Sequence, residues 1–233
     1  MITKQQLAKS LELGFREAEE LEEGWILRCM EAKKYGLRGM CTIPYTLDFV
    51  MREMEGSGIP VVGIVAFPSG FAPTKVKVFE TQEMVGKGVD SIDCMINYVA
   101  LRSGDVDYVK RELDEMVAAA RKINPDIEIK FIIEATMLDK EMIVTASKLV
   151  KESGADVVKT STGWRGGCTL EHIRIMREAV GPDFGVKAAG GHIATTEKAL
   201  AMLEAGANMI GENNCCQIME GYDLLVEKRS TRG

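Results

Sequence analysis

The chain has 233 residues, of which 46% are hydrophobic and 27% charged, and its formal net charge is −6. This composition is typical of a globular protein and excludes a disordered or collagen-like chain. The net negative charge argues against a nucleic-acid partner. No apolar run is long enough to cross a membrane, and the N-terminus lacks the apolar core of a secretory signal. We therefore expect a cytoplasmic protein with no membrane partner.

The six cysteines and two histidines limit the metal chemistry that we expect. No two cysteines have the CxxC spacing, so we expect reduced thiols that pack as small apolar side chains. Two histidines, His172 and His192, are too few for a histidine-rich zinc site. The sequence contains neither a GxGxxG nor a GxxxxGK[ST] motif, which argues against a nucleotide-binding site. The sequence thus predicts no metal and no cofactor.

Helical patterns that end in glycine and lead into short apolar runs recur along the chain. A glycine just past a helix adopts the left-handed conformation that ends it. The apolar runs that follow are typical of strands buried on both faces. In this way we predict seven strands, at about 38–43, 60–66, 90–96, 127–133, 155–159, 184–188 and 207–211.

Helices are predicted between these strands. The glutamate-rich segment 16–34 is expected to be a helix with a solvated acidic flank rather than a binding site. Thr169 and Thr195 are expected to cap the N-termini of two later helices. The other predicted helices and the two capped ones cover residues 106–122, 141–152, 170–180 and 196–205.

Alternating strands and helices predict parallel pairing through crossover connections. No linker interrupts the pattern, so residues 1–233 are expected to form one domain. A doubly wound sheet would fit seven strands. A (β/α)8 TIM barrel needs an eighth, which residues 7–13 could supply, and a length near the typical ~250 residues favours the barrel.

Two lysines stand inside apolar runs at the carboxyl ends of adjacent predicted strands, where ligands bind in both architectures. They are Lys159 in VKTSTG and Lys187 in VKAAGG. For either lysine alone, a structural role is as well supported as a catalytic one: its ammonium could reach solvent or pair with a carboxylate. With Asp93 at the end of another strand, a catalytic interpretation is favoured. A nearby ammonium and burial lower the pKa of a lysine, and the neutral amine attacks carbonyl groups.

The segment Gly190-Gly191, followed by a helix start at Thr195, offers backbone N–H groups that could bind an anion. An ordinary strand–helix turn explains the same residues equally well. Glu212 in the neighbouring loop argues against a bare phosphate at this point.

These motifs together resemble the deoxyribose-phosphate aldolase family. The combination of VKTSTG with a downstream VKxxGG is specific, whereas either alone is weak. The matching segments run in family order and are YGLRGMC (35–41), FPSG (67–70) with Thr74-Lys75, IDCMIN (92–97), KFIIE (130–134), VKTSTG (158–163), VKAAGG (186–191) and 206–211.

The resemblance implies a class I aldolase on a TIM barrel, which works without metal. Lys159 would form the Schiff base, Lys187 would tune it, and Asp93 would transfer protons with a water molecule. The family reaction cleaves 2-deoxyribose 5-phosphate to glyceraldehyde 3-phosphate and acetaldehyde. We expect the residues that bind the substrate to be Thr160, Gly190, Gly191, Gly211, Glu212 and Asn213.

Three departures from the family pattern concern the far end of the substrate. The N-terminal Asp-His-Thr segment has no counterpart at residues 8–11, the arginine of GGIR is replaced in GGHI, and Ser-Ser is replaced after Gly211 by Glu212-Asn213. Three alternatives stay open: the family substrate, a related class I aldolase with a different acceptor, phosphorylated or not, and a catalytically silent barrel that binds a sugar phosphate. The partner is a small aldehyde or sugar phosphate in each case, and self-association into a homo-oligomer is left open.

Overall fold

Eight short parallel strands form a closed barrel in the computed structural model, which describes residues 2–15, 21–190 and 193–230, with side chains up to 226. Each strand pairs with the next along the chain, and the last pairs with the first. The strands are β1 (Leu11–Leu13), β2 (Gly39–Thr42), β3 (Val61–Val65), β4 (Ser91–Met95), β5 (Glu128–Ile132), β6 (Val157–Lys159), β7 (Gly185–Ala189) and β8 (Met209–Glu212). The predicted TIM barrel is confirmed, including the eighth strand within residues 7–13, and the doubly wound sheet is excluded.

Helices surround the barrel and connect its strands. Short 3-10 helices follow β2 and β5, at Pro44–Thr46 and Ala135–Met137. The α-helices are α1 (Lys4–Ala8), α2 (Glu22–Tyr35), α3 (Leu47–Met54), α4 (Thr74–Gly86), α5 (Tyr98–Arg102), α6 (Val106–Ile123), α7 (Lys140–Glu152), α8 (Leu170–Val180), α9 (Thr196–Glu204) and α10 (Cys215–Ser230).

Two of these helices begin at the residues that the sequence marks as caps. The Thr169 and Thr195 side chains accept hydrogen bonds from backbone N–H groups in the first turns of α8 and α9. The glutamate-rich helix begins later than expected, because Leu21 is extended and α2 starts at Glu22. Acidic side chains in that first turn favour the positive end of the helix dipole. Residues 16–20, where the start was predicted, lie outside the described part of the chain.

The barrel separates two kinds of interior. Apolar side chains, such as Ile92, Phe131 and Val158, fill the layer between the strands and the helices and are fully buried. Charged side chains occupy the inside of the barrel, where alternate residues of each strand point. Lys130 is one of them and has no exposed surface. The centre of this barrel is therefore a network of buried charges.

Two further features concern the chain as a whole. No helix in the described ranges has both the length and the apolar character that a membrane crossing requires. The six cysteines are all unpaired, and all except Cys216 are buried.

Candidate active site

A cavity of about 360 Å³ opens at the carboxyl ends of the strands. Lys159 lies on its wall, together with four of the residues predicted to bind substrate. Those four are Gly190, Gly211, Glu212 and Asn213. This is the end of the barrel at which TIM-barrel enzymes bind their substrates.

The strand register brings the predicted lysine pair together. Lys159 on β6 and Lys187 on β7 are direct neighbours in the pairing of these strands, so both side chains point to the barrel interior. Both Nζ atoms donate to Oδ2 of Asp93, over 2.7 Å from Lys159 and 2.6 Å from Lys187. Asp93 reaches them from β4, and one carboxylate oxygen joins two strands. Sequence analysis placed these three residues together, and they are in contact.

The two lysines have opposite pKa shifts although they share one carboxylate. Burial lowers the pKa of Lys159 most strongly; Asp93 opposes this, and the ammonium of Lys187 adds to the lowering. Burial also disfavours the charge of Lys187, but the carboxylates of Asp93 and Glu12 outweigh it and raise its pKa. The result is one lysine biased toward the neutral amine beside one held as an ammonium.

Glu12 and Lys130 complete the charge network, and the sequence analysis assigned neither a role. Lys187 donates to Oε2 of Glu12 on β1. Lys130 on β5 lies 3.4 Å from a carboxylate oxygen of both Glu12 and Asp93, and donates to Ser91 Oγ over 2.8 Å. Each stands as a charge within an apolar strand segment, LEL and IKFII. That signal identified Lys159 and Lys187 and would have identified these two as well.

These cations keep both buried carboxylates charged. Burial would raise the pKa of Asp93, but Lys159, Lys187 and Lys130 lower it well below its ordinary value. At Glu12, burial again raises the pKa, but the charges of Lys130 and Lys187 outweigh burial and lower the pKa to about 2. Both groups are therefore carboxylates at neutral pH.

A thiol beside this network raises the question of a metal site. The ligand atoms of Glu12, Cys41 and Asp93 all lie within 4.8 Å of one another. Both carboxylates are already paired with lysines, however, and burial raises the pKa of Cys41 to about 11. A metal would need the thiolate and would have to displace ammonium groups. The donor set does not suit a metal ion, and metal independence stays a prediction.

The mouth of the cavity has a different chemistry. Glu212, at the end of β8, accepts hydrogen bonds from the backbone N–H of Ile193 over 3.1 Å and of Asn213 over 2.8 Å. Gly190 has φ +91°, and a Cβ there would lie 2.9 Å from Ser161 Cβ. The loop after β7 therefore lies close both to the loop after β6 and to the end of β8. Gly191 and His192, between them, lie outside the described residues.

Aromatic side chains from three separate loops form another part of the mouth. Phe67 packs edge-on against Phe15, at a ring distance of 5.9 Å, and against Trp164, at 6.2 Å. All three line the cavity. Sequence analysis missed this wall, because the three residues follow β1, β3 and β6 and share no local pattern.

Polar groups from the loop after β6 complete the wall. Ser161 is a lining residue, but its hydroxyl is fully buried and has no hydrogen-bond partner among the described residues. Thr162 Oγ1 donates to Oε2 of Glu134 over 2.5 Å, which ties this loop to the loop after β5. Neither hydroxyl is therefore presented to the cavity as a free group.

Two of the predicted substrate-binding residues act instead on neighbouring strands. Thr160 is buried behind the wall, where its hydroxyl donates to the carbonyl oxygen of Ala189 and accepts from its N–H, both over 2.8 Å. It holds β6 to β7. Gly211 does line the cavity, but a Cβ there would lie 2.9 Å from Cε of Lys187. Its missing side chain leaves room for that lysine.

Comparisons with known proteins show the family of the chain and the similarity of its fold. A sequence model of the family described as "DeoC/LacD family aldolase" matches residues 32–215. The chain is 45% identical to the deoxyribose-phosphate aldolase of Thermococcus gammatolerans over 86% of this chain and 89% of the relative, and 41% identical to that of Thermococcus kodakarensis over 94% and 98%. Its fold is similar to that of the deoxyribose phosphate aldolase from Aeropyrum pernix, with a TM-score of 0.87 and 27% identity over 96% of this chain and 93% of that one.

Proposed function

Since the chain belongs to the DeoC/LacD aldolase family, we propose that it is a class I aldolase that releases acetaldehyde from a 2-deoxy sugar, by the reaction of deoxyribose-phosphate aldolases. The observation that carries the proposal is Lys159: its amine is on the cavity wall, its pKa is lowered, and a charged lysine and a carboxylate flank it. Those are the conditions for imine formation.

The first half of the proposed reaction joins the sugar to the enzyme. The neutral amine of Lys159 attacks the aldehyde carbon of the open-chain sugar and forms a carbinolamine. Loss of water, with one proton supplied to the departing oxygen, leaves a protonated imine. The Lys187 ammonium lowers the pKa of Lys159 and so supports the first step.

The second half breaks the carbon–carbon bond. A base removes the proton of the C3 hydroxyl, the C2–C3 bond breaks, and its electron pair moves into the iminium to give an enamine. The shortened aldehyde, which is glyceraldehyde 3-phosphate for the phosphorylated sugar, departs. A proton returns to the enamine carbon, and water then hydrolyses the imine to acetaldehyde and free Lys159.

We assign the proton transfers to Asp93. Its lowered pKa makes it a carboxylate, and hence a base, in the resting site. It contacts Lys159 directly but does not line the cavity. In the cleavage step the Lys159 nitrogen is an iminium without a lone pair, so the proton of the C3 hydroxyl reaches Asp93 through a water molecule. A positioned acid–base group of this kind accelerates such a step by about 10²–10⁴-fold.

Reductive trapping tests the proposal. Borohydride added with acetaldehyde should attach one ethyl group to the enzyme, and peptide mass spectrometry should map it to Lys159. Lys159→Met should abolish the adduct, whereas Lys130→Met, which removes another buried lysine, should keep it. An adduct at Lys187 would contradict our assignment. No adduct in the wild type would favour the alternative, a silent barrel that only binds a sugar phosphate.

Two further features belong to the proposal. Free thiols at all six cysteines fit a reducing compartment, and we propose that the enzyme is cytoplasmic. We also propose that it self-associates, since the relative from Aeropyrum pernix is described as a tetramer. Light scattering of the purified chain would test the second point.

A further inference from the structure

Glu212 places a carboxylate in the cavity, near the loops at which a TIM barrel would bind a phosphate group. Its side chain lines the cavity, yet the residue is only 6% exposed. One carboxylate oxygen accepts from the N–H of Ile193, in the loop after β7, and the other from the N–H of Asn213, after β8. The carboxylate therefore bridges the two loops through their backbone N–H groups.

In TIM barrels, phosphate is frequently bound by the loops after the last two strands, with backbone N–H groups as donors. Here the chain's own carboxylate occupies two such donors. A phosphate dianion at this point would compete with Glu212 for hydrogen bonds and would meet a like charge at close range. Both effects oppose a phosphorylated substrate.

The described cations do not compensate for this charge on the cavity wall. Lys159 is the one cation among the described lining residues, and it belongs to the reaction centre. Arg28 donates to the carbonyl oxygen of Asn213 over 2.6 Å and to Glu31, and it does not line the cavity. Lys75 and Arg165 are exposed and also lie outside the lining.

The remaining surface of the mouth suits an uncharged molecule. The edge-packed rings of Phe15, Phe67 and Trp164 offer an apolar wall. Glu212 lines the cavity and keeps acceptor capacity beyond its two backbone donors, because a carboxylate has about four lone-pair sites. A hydroxyl group on the substrate could donate to Glu212, whereas a phosphate could not.

We propose that Glu212 determines specificity by occupying the anion position, so that the enzyme prefers an uncharged, hydroxyl-bearing aldehyde to a phosphorylated one. The corresponding substrate for cleavage is the unphosphorylated 2-deoxy sugar. This inference rests on the proposed aldolase function.

Steady-state kinetics on the full-length enzyme test this inference. kcat/KM is measured for 2-deoxyribose and for 2-deoxyribose 5-phosphate, in the wild type and in Glu212→Gln, which removes the charge but keeps the shape. The wild type should prefer the unphosphorylated sugar. Glu212→Gln should shift the ratio toward the phosphate by about 10–100-fold, the effect of removing one close charge. Glu204→Gln, an exposed carboxylate on α9, is the matched control and should leave the ratio unchanged.

Three results would overturn the inference while leaving the aldolase proposal intact. One is a wild-type kcat/KM that is higher for 2-deoxyribose 5-phosphate than for 2-deoxyribose. Another is a ratio that Glu212→Gln does not move although the variant keeps the wild-type melting temperature. The third is a phosphate preference that Arg165→Gln or Lys75→Gln removes. Trapping with acetaldehyde involves no acceptor, so an adduct at Lys159 in the same samples shows that the chemistry itself is present. If Glu212→Gln does not fold, the wild-type preference alone decides the inference.

Discussion

The floor and the mouth of the cavity are built in different ways. The charged groups of the floor, Lys159, Lys187, Asp93 and Glu12, stand on strands, and their spacing follows from the strand register. The mouth is formed by loop residues, among them the aromatic side chains of Phe15, Phe67 and Trp164, and by Glu212 at the end of β8, which bonds to the loop backbone. Strand register fixes the chemistry of the cavity, whereas loop residues decide which molecule can enter.

The two regions also differ in how they tolerate change. Every charge of the floor is buried and paired, and removal of one partner from a buried ion pair typically costs about 3–5 kcal/mol because an uncompensated charge remains. The mouth includes side chains such as Trp164, which is 61% exposed. Substitutions should therefore affect chemistry and stability at the floor, and substrate affinity at the mouth.

Lys187→Leu should have the largest effect. Removal of its ammonium raises the pKa of Lys159, so less of the neutral amine is present at pH 7. Each unit of increase reduces that amount about tenfold, and we expect a loss of at least about 100-fold in kcat/KM at pH 7. The acid limb of the pH–rate profile should move to higher pH.

The matched control for this variant is Lys130→Leu. Lys130 is equally buried and faces the same two carboxylates, but it contacts Oδ1 of Asp93, whereas Lys187 shares Oδ2 with Lys159. Lys130→Leu should lower the melting temperature, but it should displace the pH–rate profile less than Lys187→Leu does. If the profile of Lys187→Leu overlays that of the wild type, the tuning role is wrong.

Glu12→Gln should have a smaller effect, seen most clearly in stability. The pKa of Glu12 is lowered from 4.5 to about 2 in the folded protein, so its charge stabilises the fold above pH 4.5, and this contribution is lost as the pH falls toward 2. A shift of this size corresponds to about 3 kcal/mol at neutral pH. Urea unfolding should show a gap between wild type and variant that narrows below pH 4.5.

The pKa of Asp93 is lowered as well, so its charge also stabilises the fold above its ordinary pKa. Because wild type and Glu12→Gln both contain Asp93, its contribution largely cancels from the difference in their free energies of unfolding. Glu204→Gln should show no such gap, since its carboxylate is exposed. A gap of constant size from pH 6 to pH 3 would contradict the ionic role of Glu12.

Trp164→Ala should have the smallest effect and should act on binding alone. The edge contact between Trp164 and Phe67 is worth about 0.5–1.5 kcal/mol in pairs of this kind. We expect KM to rise about 2–10-fold with kcat unchanged. The rate of reductive trapping with acetaldehyde should match that of the wild type. A loss in kcat would show that the mouth and the floor are coupled.

The strands and the lysine pair could be predicted because both rest on local signals. A helix that ends in glycine, followed by an apolar run, marks most of the strands, and a charge inside such a run marks an inward-facing functional group. Glu12 carries the same signal in LEL, but β1 has only three residues and its strand was the weakest of the eight. The approximate bounds were therefore right where apolar runs were long.

The rest of the site depends on contacts between distant segments. Phe15, Phe67 and Trp164 meet only after the barrel closes, and no periodicity links them. Thr160 shows the opposite error, since its position next to Lys159 suggested contact with the substrate. Successive residues of a strand point to opposite sides, and the hydroxyl of Thr160 faces Ala189 instead.

The close approach of Gly211 to Lys187 links two positions in evolution. The methylene chain of Lys187 passes where a Cβ on β8 would otherwise lie. A larger residue at position 211 would displace the ammonium, and a shorter residue at position 187 would leave a void beside the glycine, which costs about 1 kcal/mol for each missing methyl group. The glycine and the lysine should therefore be retained or replaced together across related sequences, so that an alignment should show covariation between positions 187 and 211.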